Sequence, residues 1–428
     1  MKTQSIFAFL ALLAAPLSAQ GVVAIEGGTV HTMAGAPIEG GTVLIRDGRV
    51  VAVGRDVAVP PGARRIDARG KQVTPGFFDS HTHTGLTEVG SIQGTNDYSL
   101  NDQDQDRVMA AFNVSDGLNP RSIVIPVTRI AGVTTAVSAP GGNGLVTGQG
   151  VVIDLAGTGV DDLLVKSPVA MYATLGEGVE SASGGARGGA TLRLRELLED
   201  TRTYMQRRGD FERGATRQFA ASRLDLQAMI PVLQGRLPLV VEAHRASDIR
   251  TALRIADEYR LRLILLGATE GWMVADDLAR ARVPVVLKVL QNLPSSFERL
   301  GARYDNAALL RRAGVQVAFT TNETHNARNL RQEAGNAVAY GLPYQEALRA
   351  VTLYPAQVWG VDATHGSLAP GKTANVVVWD GDPLELLTEV EHVFIGGREV
   401  PLVSRQTELR DRYLRIDDTN RVYGRGTQ

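Results

Sequence analysis

Pro75-Gly76-Phe77-Phe78-Asp79-Ser80-His81-Thr82-His83 decides how the rest of the chain is read. Two histidines stand two residues apart at the end of an apolar, aromatic run. Side chains two apart on a strand share one face, so His81 and His83 can aim both imidazoles at one point. Imidazole is the commonest side-chain ligand for divalent metals, which makes the pair candidate metal ligands. Pro75-Gly76 marks a break where the chain enters a new unit. A polar strand end with two solvated histidines is the competing reading of a bare His-x-His. The aromatic leader and its position favour the metal.

A chain of 428 residues exceeds one typical domain, so two structural units are expected, one of them large. With 44% hydrophobic and 21% charged residues there is ample core material. A formal net charge of -1 argues against nucleic acid, or an acidic membrane surface, as the main partner. Lys2, an apolar stretch over residues 6–16 and the small residues of Leu17-Ser18-Ala19 read as a cleaved secretory signal over 1–19. The apolar stretch is too short for a bilayer core, which takes about 20 residues, so no membrane anchor is expected. Secreted or periplasmic placement follows. The chain has no cysteine, which excludes disulfides and leaves His, Asp, Glu or backbone as metal ligands.

Upstream of the quoted stretch, short alternating segments are punctuated by Gly27-Gly28, Gly40-Gly41 and Asp47-Gly48. The same texture returns in Val376-Val377-Val378-Trp379 and Val393-Phe394-Ile395-Gly396-Gly397. One β-sandwich assembled from both termini, 20–73 and 361–402, is the expectation, followed by a tail over 403–428. Between them, 74–360 alternates strand-like runs with amphipathic helices. Strands are expected around 133–137, 169–172, 239–244, 263–266, 283–287 and 315–320. Helices are expected at 192–208 and after Ser247, which can cap a helix whose Ile249, Leu253 and Ala256 share a face. Residues 181–189 read as a mobile Gly/Ser loop above the barrel. The fold class is α/β, a closed eight-stranded (β/α)8 barrel. An open doubly wound sheet lacks its Gly-x-Gly-x-x-Gly after an early strand.

Three stretches now resemble a known family. They are residues 75–83, Ala131-Gly132-Val133-Thr134-Thr135 and Gly366-Ser367-Leu368-Ala369-Pro370-Gly371-Lys372. Asn326-Ala327-Arg328-Asn329-Leu330 with Glu333-Ala334-Gly335 adds a fourth. The family is the amidohydrolase superfamily, in its imidazolonepropionase-like, often exported, bacterial branch, and the resemblance covers nearly all of the chain after the leader. It implies a distorted TIM barrel beside a small composite β-sandwich. It also implies one or two divalent metals at the C-terminal mouth and hydrolysis of carbon–nitrogen bonds through a metal-activated water. Mapped onto this chain, the implied ligands are His81 and His83 on the first strand and His244 on the fifth. Glu177 stands where an acidic ligand is placed, and a solvated surface residue is its alternative. Glu242, two before His244, is a ligand or an ion-pair partner.

Two positions depart from the pattern. Gly267 stands where the sixth strand usually carries histidine, and Asn322 where the eighth ends in an aspartate that serves as base. An amide has no proton-accepting group near neutrality, so a binuclear site of the usual kind is not expected. One divalent ion, zinc, on His81, His83 and His244 is. Glu270, Glu323 and His325 are the candidates for a replacement base, and Arg245 for meeting a substrate carboxylate. The expected substrate is a small amide or peptide-like molecule. The alternative is a catalytically silent subunit or binding protein of the same fold. A homo-oligomer, or pairing with a related amidohydrolase subunit, is the expected assembly.

Overall fold

The computed structural model of the protein describes residues 21–100, 108–179, 184–291 and 293–414. The expected leader and most of the expected tail lie outside them. Five short strands come first: β1 (Val23–Val30), β2 (Ile38–Arg46), β3 (Arg49–Gly54), β4 (Arg64–Asp67) and β5 (Gln72–Pro75). Asp47 and Gly48 join β2 to β3, both with positive φ (49° and 77°), as a two-residue hairpin turn requires.

Eight strands then form a second sheet whose spatial order follows the chain. They are β6 (Phe77–Thr82), β7 (Val133–Ser138), β8 (Val146–Asp154), β9 (Leu164–Thr174), β10 (Leu239–Ala243), β11 (Leu263–Gly267), β12 (Val285–Leu287) and β13 (Val317–Phe319). Neighbours run parallel except that β8 is antiparallel to both β7 and β9. The expected regular β/α alternation is therefore corrected at the third strand, which carries no expectation in the sequence. This is the distortion of the barrel. Other expectations shift by smaller amounts. The helix expected at 192–208 already begins at Arg187, so 187–189 are its first turn rather than loop. Ser247 lies inside the helix Ala246–Tyr259 and does not cap it.

Period-two alternation sorts the barrel's side chains. Phe78, Tyr172, Val240, Ile264, Leu266, Val286 and Ala318 pack together as its interior. Leu239, Val241, Leu265, Val285, Val317 and Phe319 belong to the layer shared with the helices. Continuing two residues beyond the interior positions reaches Glu242, Lys288 and Thr320, and then His244. That ring of polar residues is the barrel mouth.

The sheet is not closed by a ladder between β13 and β6. Phe78 N donates instead to Val351 O (2.7 Å). Across the seam, Thr320 Oγ1 donates to Asp79 Oδ1 (2.7 Å) and Thr321 Oγ1 to Asp79 Oδ2 (2.6 Å). The fully buried Asp79 carboxylate thus closes the barrel through side chains.

After the barrel, β14 (Val376–Trp379), β15 (Val390–Ile395) and β16 (Arg398–Glu399) complete the first sheet, with β14 antiparallel to β5. Both ends of the chain build it, as expected. The path bends back so that Val50 N donates to Lys372 O (2.9 Å), enclosing Ile25, Val43, Ile45, Val376 and Phe394. Trp379 fastens this sheet to the barrel. Its indole lies 5.0 Å from the Phe77 ring and its Nε1 donates to Thr74 Oγ1 (2.9 Å). At Gly76 a Cβ would lie 2.6 Å from Thr134 Cβ and closer still to its hydroxyl, so the Pro-Gly break is also where two strands touch.

Candidate functional site

His81 lies near the end of β6 and His83 just past it, with ring centroids 5.8 Å apart. A bulge in the β6–β7 register between Asp79 and Thr82 sets their orientation. His83 Nδ1 donates to Ala139 O (2.8 Å), which leaves the lone pair on Nε2, and its ring stacks on Tyr98 at 4.0 Å. His81 is buried, and its Nδ1 has no partner among the described residues. Burial, followed by the neighbouring His83, pushes the His81 pKa down to about 3, and burial lowers His83 too. Both imidazoles are therefore neutral, the form a metal requires. Tyr172 lies 5.5 Å from His81, and its buried hydroxyl also lacks a partner among the described residues.

His244 follows β10 and is almost fully buried. Its Nδ1 pairs with Thr269 Oγ1 (2.8 Å), and Arg299 Nη2 donates to its Nε2 (2.9 Å). Glu242 Oε1 is 3.1 Å from the same nitrogen. A guanidinium only donates, so Nε2 accepts here and the proton sits on Nδ1. Burial works to raise the Glu242 pKa, but the positive side of the site, the Arg299 guanidinium included, outweighs it and holds the carboxyl below its ordinary range. Its side chain is 36% exposed, open to the mouth.

Gly267 explains the position of His244. A Cβ there would lie 2.9 Å from His244 Nδ1 and 3.0 Å from Nε2, and closer still to Cε1. Its φ of 91° also favours glycine. The imidazole of the fifth strand fills the space over the sixth, so a side chain at 267 and this placement of His244 exclude one another.

The remaining candidates are drawn to other tasks. Glu177 pairs with Arg187 (3.1 Å), a hub that also holds Asp248 and Glu298, and it is not brought to the histidines. Glu270 accepts from Ala246 N (2.9 Å) and Gly301 N (3.0 Å), so its buried carboxylate caps the helix Ala246–Tyr259 and anchors a loop. His325 is exposed, and its Nε2 donates to Glu88 O (2.9 Å). Glu323 pairs with Lys288 (2.9 Å). Asn322 is exposed in a left-handed turn (φ 48°), its N donating to Thr320 Oγ1 (2.9 Å). Arg245 is exposed at the start of the helix, without a side-chain partner among the described residues.

Among the described residues, no three His, Cys, Asp or Glu side chains are gathered to hold a metal ion. The donor chemistry still suits one at His81 and His83, which are neutral, with an orphaned nitrogen. His244 can join them only when Arg299 leaves its Nε2. Arg299, Lys288, Thr320 and Thr321 are not among the expectations from sequence. Continuing the strand alternation past Val286 and Ala318 would have reached Lys288 and Thr320. Nothing in the sequence marks Arg299.

The model of the Amidohydrolase family matches residues 243–400. A solved amidohydrolase from Thermotoga maritima is 30% identical, covering 90% of this chain and all of that one, with a TM-score of 0.81. Imidazolonepropionase of Symbiobacterium thermophilum is 25% identical over 83% of this chain and 89% of its own length. Amidohydrolase tasK of Hapsidospora irregularis is 24% identical over 83% of this chain, which spans only 39% of that longer protein.

Proposed function

The chain belongs to the amidohydrolase superfamily, in its imidazolonepropionase-like branch, and from there we propose that it is a metal-dependent hydrolase of amide or cyclic amide carbon–nitrogen bonds. The observation that carries the reading is the His81–His83 pair, kept neutral by burial at the barrel mouth. One divalent ion, zinc by its nitrogen donors, would be held by these two, with His244 as the third. When bound, the ion supplies Lewis-acid polarisation of the amide carbonyl and of water. The base is Glu242. It is ionised, open to the mouth and beside His244, so it can take a proton from water and pass it to the leaving nitrogen. Asp79 holds the first strand against the eighth and keeps the histidines in place. Export through the leader at 1–19 belongs to the proposal and rests on the sequence alone. No helix among the described residues is long and apolar enough to cross a membrane.

Protein purified without chelator should carry about one equivalent of metal. His81→Ala with His83→Ala should lose it and still melt cooperatively, because mouth residues are separate from the barrel's packed base. Glu242→Gln should lower kcat by about 10²–10⁴-fold with KM little changed. Unchanged metal content in the double variant would refute the assignment. The second reading, a silent subunit, is favoured by the exposed Asn322 and by the capping role of Glu270. Absence of both metal and hydrolysis across amide, dipeptide and lactam panels would establish it.

A further inference from the structure

We propose that the base of the barrel carries a second binding site, for a small aliphatic anion with two or more acidic groups. The site is separate from the mouth and does not depend on the hydrolase reading. A cleft of about 580 Å³ opens at the end of the barrel away from the histidines. Leu263, Pro284 and Gln316 line it where β11, β12 and β13 begin, and those strands lead to Gly267, Lys288 and Thr320 at the mouth. Along β11 the separation is roughly 13 Å, at about 3.3 Å per residue. Arg260, Arg262 and Arg282 also line the cleft, against a single carboxylate, Asp257. None of the three guanidiniums has a hydrogen-bond or ion-pair partner among the described residues. Arginines on the surrounding helices are paired instead, Arg250 and Arg280 with Asp277 (3.0 Å each) and Arg195 with Glu258 (2.8 Å).

Two of these arginines stand where the backbone disfavours them. Arg260 and Arg282 end the helices Ala246–Tyr259 and Ala275–Ala281 in the left-handed region, at φ 56° and 53°. The helices Arg223–Leu233, Asn306–Arg312 and Leu330–Ala339 turn on Gly235, Gly314 and Gly341 instead, at φ 66°, 92° and 95°. Glycine is the inexpensive residue at such a turn, and a local rule broken twice in one cleft marks a functional demand. Positive charge nearby is left uncompensated as well. Lys166 donates to Trp359 O (3.0 Å), and burial, followed by Arg262, lowers its pKa. A guanidinium has five donors and no acceptor, and its strong partners are carboxylates and phosphates. Gln316 and Gln357, joined at 2.7 Å, add amide groups that can meet a hydroxyl. Among the described residues no aromatic ring lines the cleft to stack a nucleotide base, so an aliphatic body is the one that fits.

The test is calorimetric titration of the metal-loaded protein with tricarballylate, fructose 1,6-bisphosphate and butyrate at one ionic strength. Wild type should bind one of the two polyanions at least about tenfold tighter than butyrate, as an added charged hydrogen-bonded pair implies. The tighter of the two tells whether carboxylates or phosphates are the natural partner. Arg260→Gly with Arg282→Gly should abolish the preference and leave metal content and hydrolysis unchanged. It should also melt no lower than wild type in anion-free buffer, because glycine suits both turns. Equal binding of all three compounds by wild type, or binding of none, would overturn the proposal. An undiminished preference in the variant would place the anion elsewhere and do the same. So would a lower melting point, since the guanidiniums would then serve the fold. Arg262→Met, which lies outside both turns, checks the preference independently and should weaken it. Hydrolysis reads the mouth alone, so this site and the hydrolase reading stand or fall separately.

Discussion

At the scale of single residues, Gly267 and His244 are one feature. An alanine at 267 would meet the left-handed backbone, about 1–2 kcal/mol, and the overlap with the imidazole, about 1–3 kcal/mol. In a His244→Ala background the second cost disappears. A double-mutant cycle by urea unfolding should therefore show Gly267→Ala as markedly less harmful when His244 is already absent. Additive costs would mean that the imidazole moves aside freely. Glu333 offers a second test. Burial raises its pKa to about 7, against the backbone donor Leu290 N at 2.7 Å. A carboxyl raised in the folded state contributes stability below its unfolded pKa of about 4.5 and loses it as pH rises through 7. Against Glu333→Gln, wild type should therefore lose on the order of 3 kcal/mol between pH 4.5 and 7.5. A flat difference would place the carboxyl in water. Residues of this kind are hard to read in advance. Gly267 is visible as a missing histidine, but the ring that fills its space belongs to another strand.

At the scale of elements, the seam between β6 and β13 is held by side chains where the other strands are held by a ladder. Burial raises Asp79 to a pKa of about 6, and the Thr320 and Thr321 hydroxyls pull the other way. Replacing both by valine should cost about 1–3 kcal/mol for each lost donor above pH 6, where Asp79 is ionised. The cost should shrink below pH 4, where the carboxyl is protonated in both states. Equal cost at pH 4 and pH 8, by denaturant melts, would show that the hydroxyls do not serve the charge. The parallel strands were legible in the sequence because Leu239-Val240-Val241 and Leu263-Ile264-Leu265-Leu266 are continuous apolar runs bounded by turns. β8 was not, since Gly148 and Gly150 interrupt Val146 to Asp154 and imitate a loop. The capping task of Glu270 was hidden for a similar reason. The donors it serves, Ala246 and Gly301, are brought together only by the fold.

At the scale of the whole molecule, Trp379 and Val377 share the large core with the barrel and its helices. A chain ending at residue 360 should therefore lack part of that core and elute as aggregate in size-exclusion chromatography. A monomeric, cooperatively melting fragment would show that the barrel stands alone. That the two ends of the chain share a sheet was legible from matching textures at 22–73 and 374–397. How that sheet bends onto Lys372 was not, because register is a tertiary fact. The shared sheet also imposes a timetable on synthesis. Val73 pairs with Val378, and a ribosome adding about 5–20 residues per second needs roughly 15–60 s to make the chain between them. Through that interval β5 waits with an open edge, while the barrel strands emerge in the order in which they will lie side by side. The nascent chain is at its most adhesive before its last fifty or so residues appear, and a chaperone that shields strand edges would matter most in that interval.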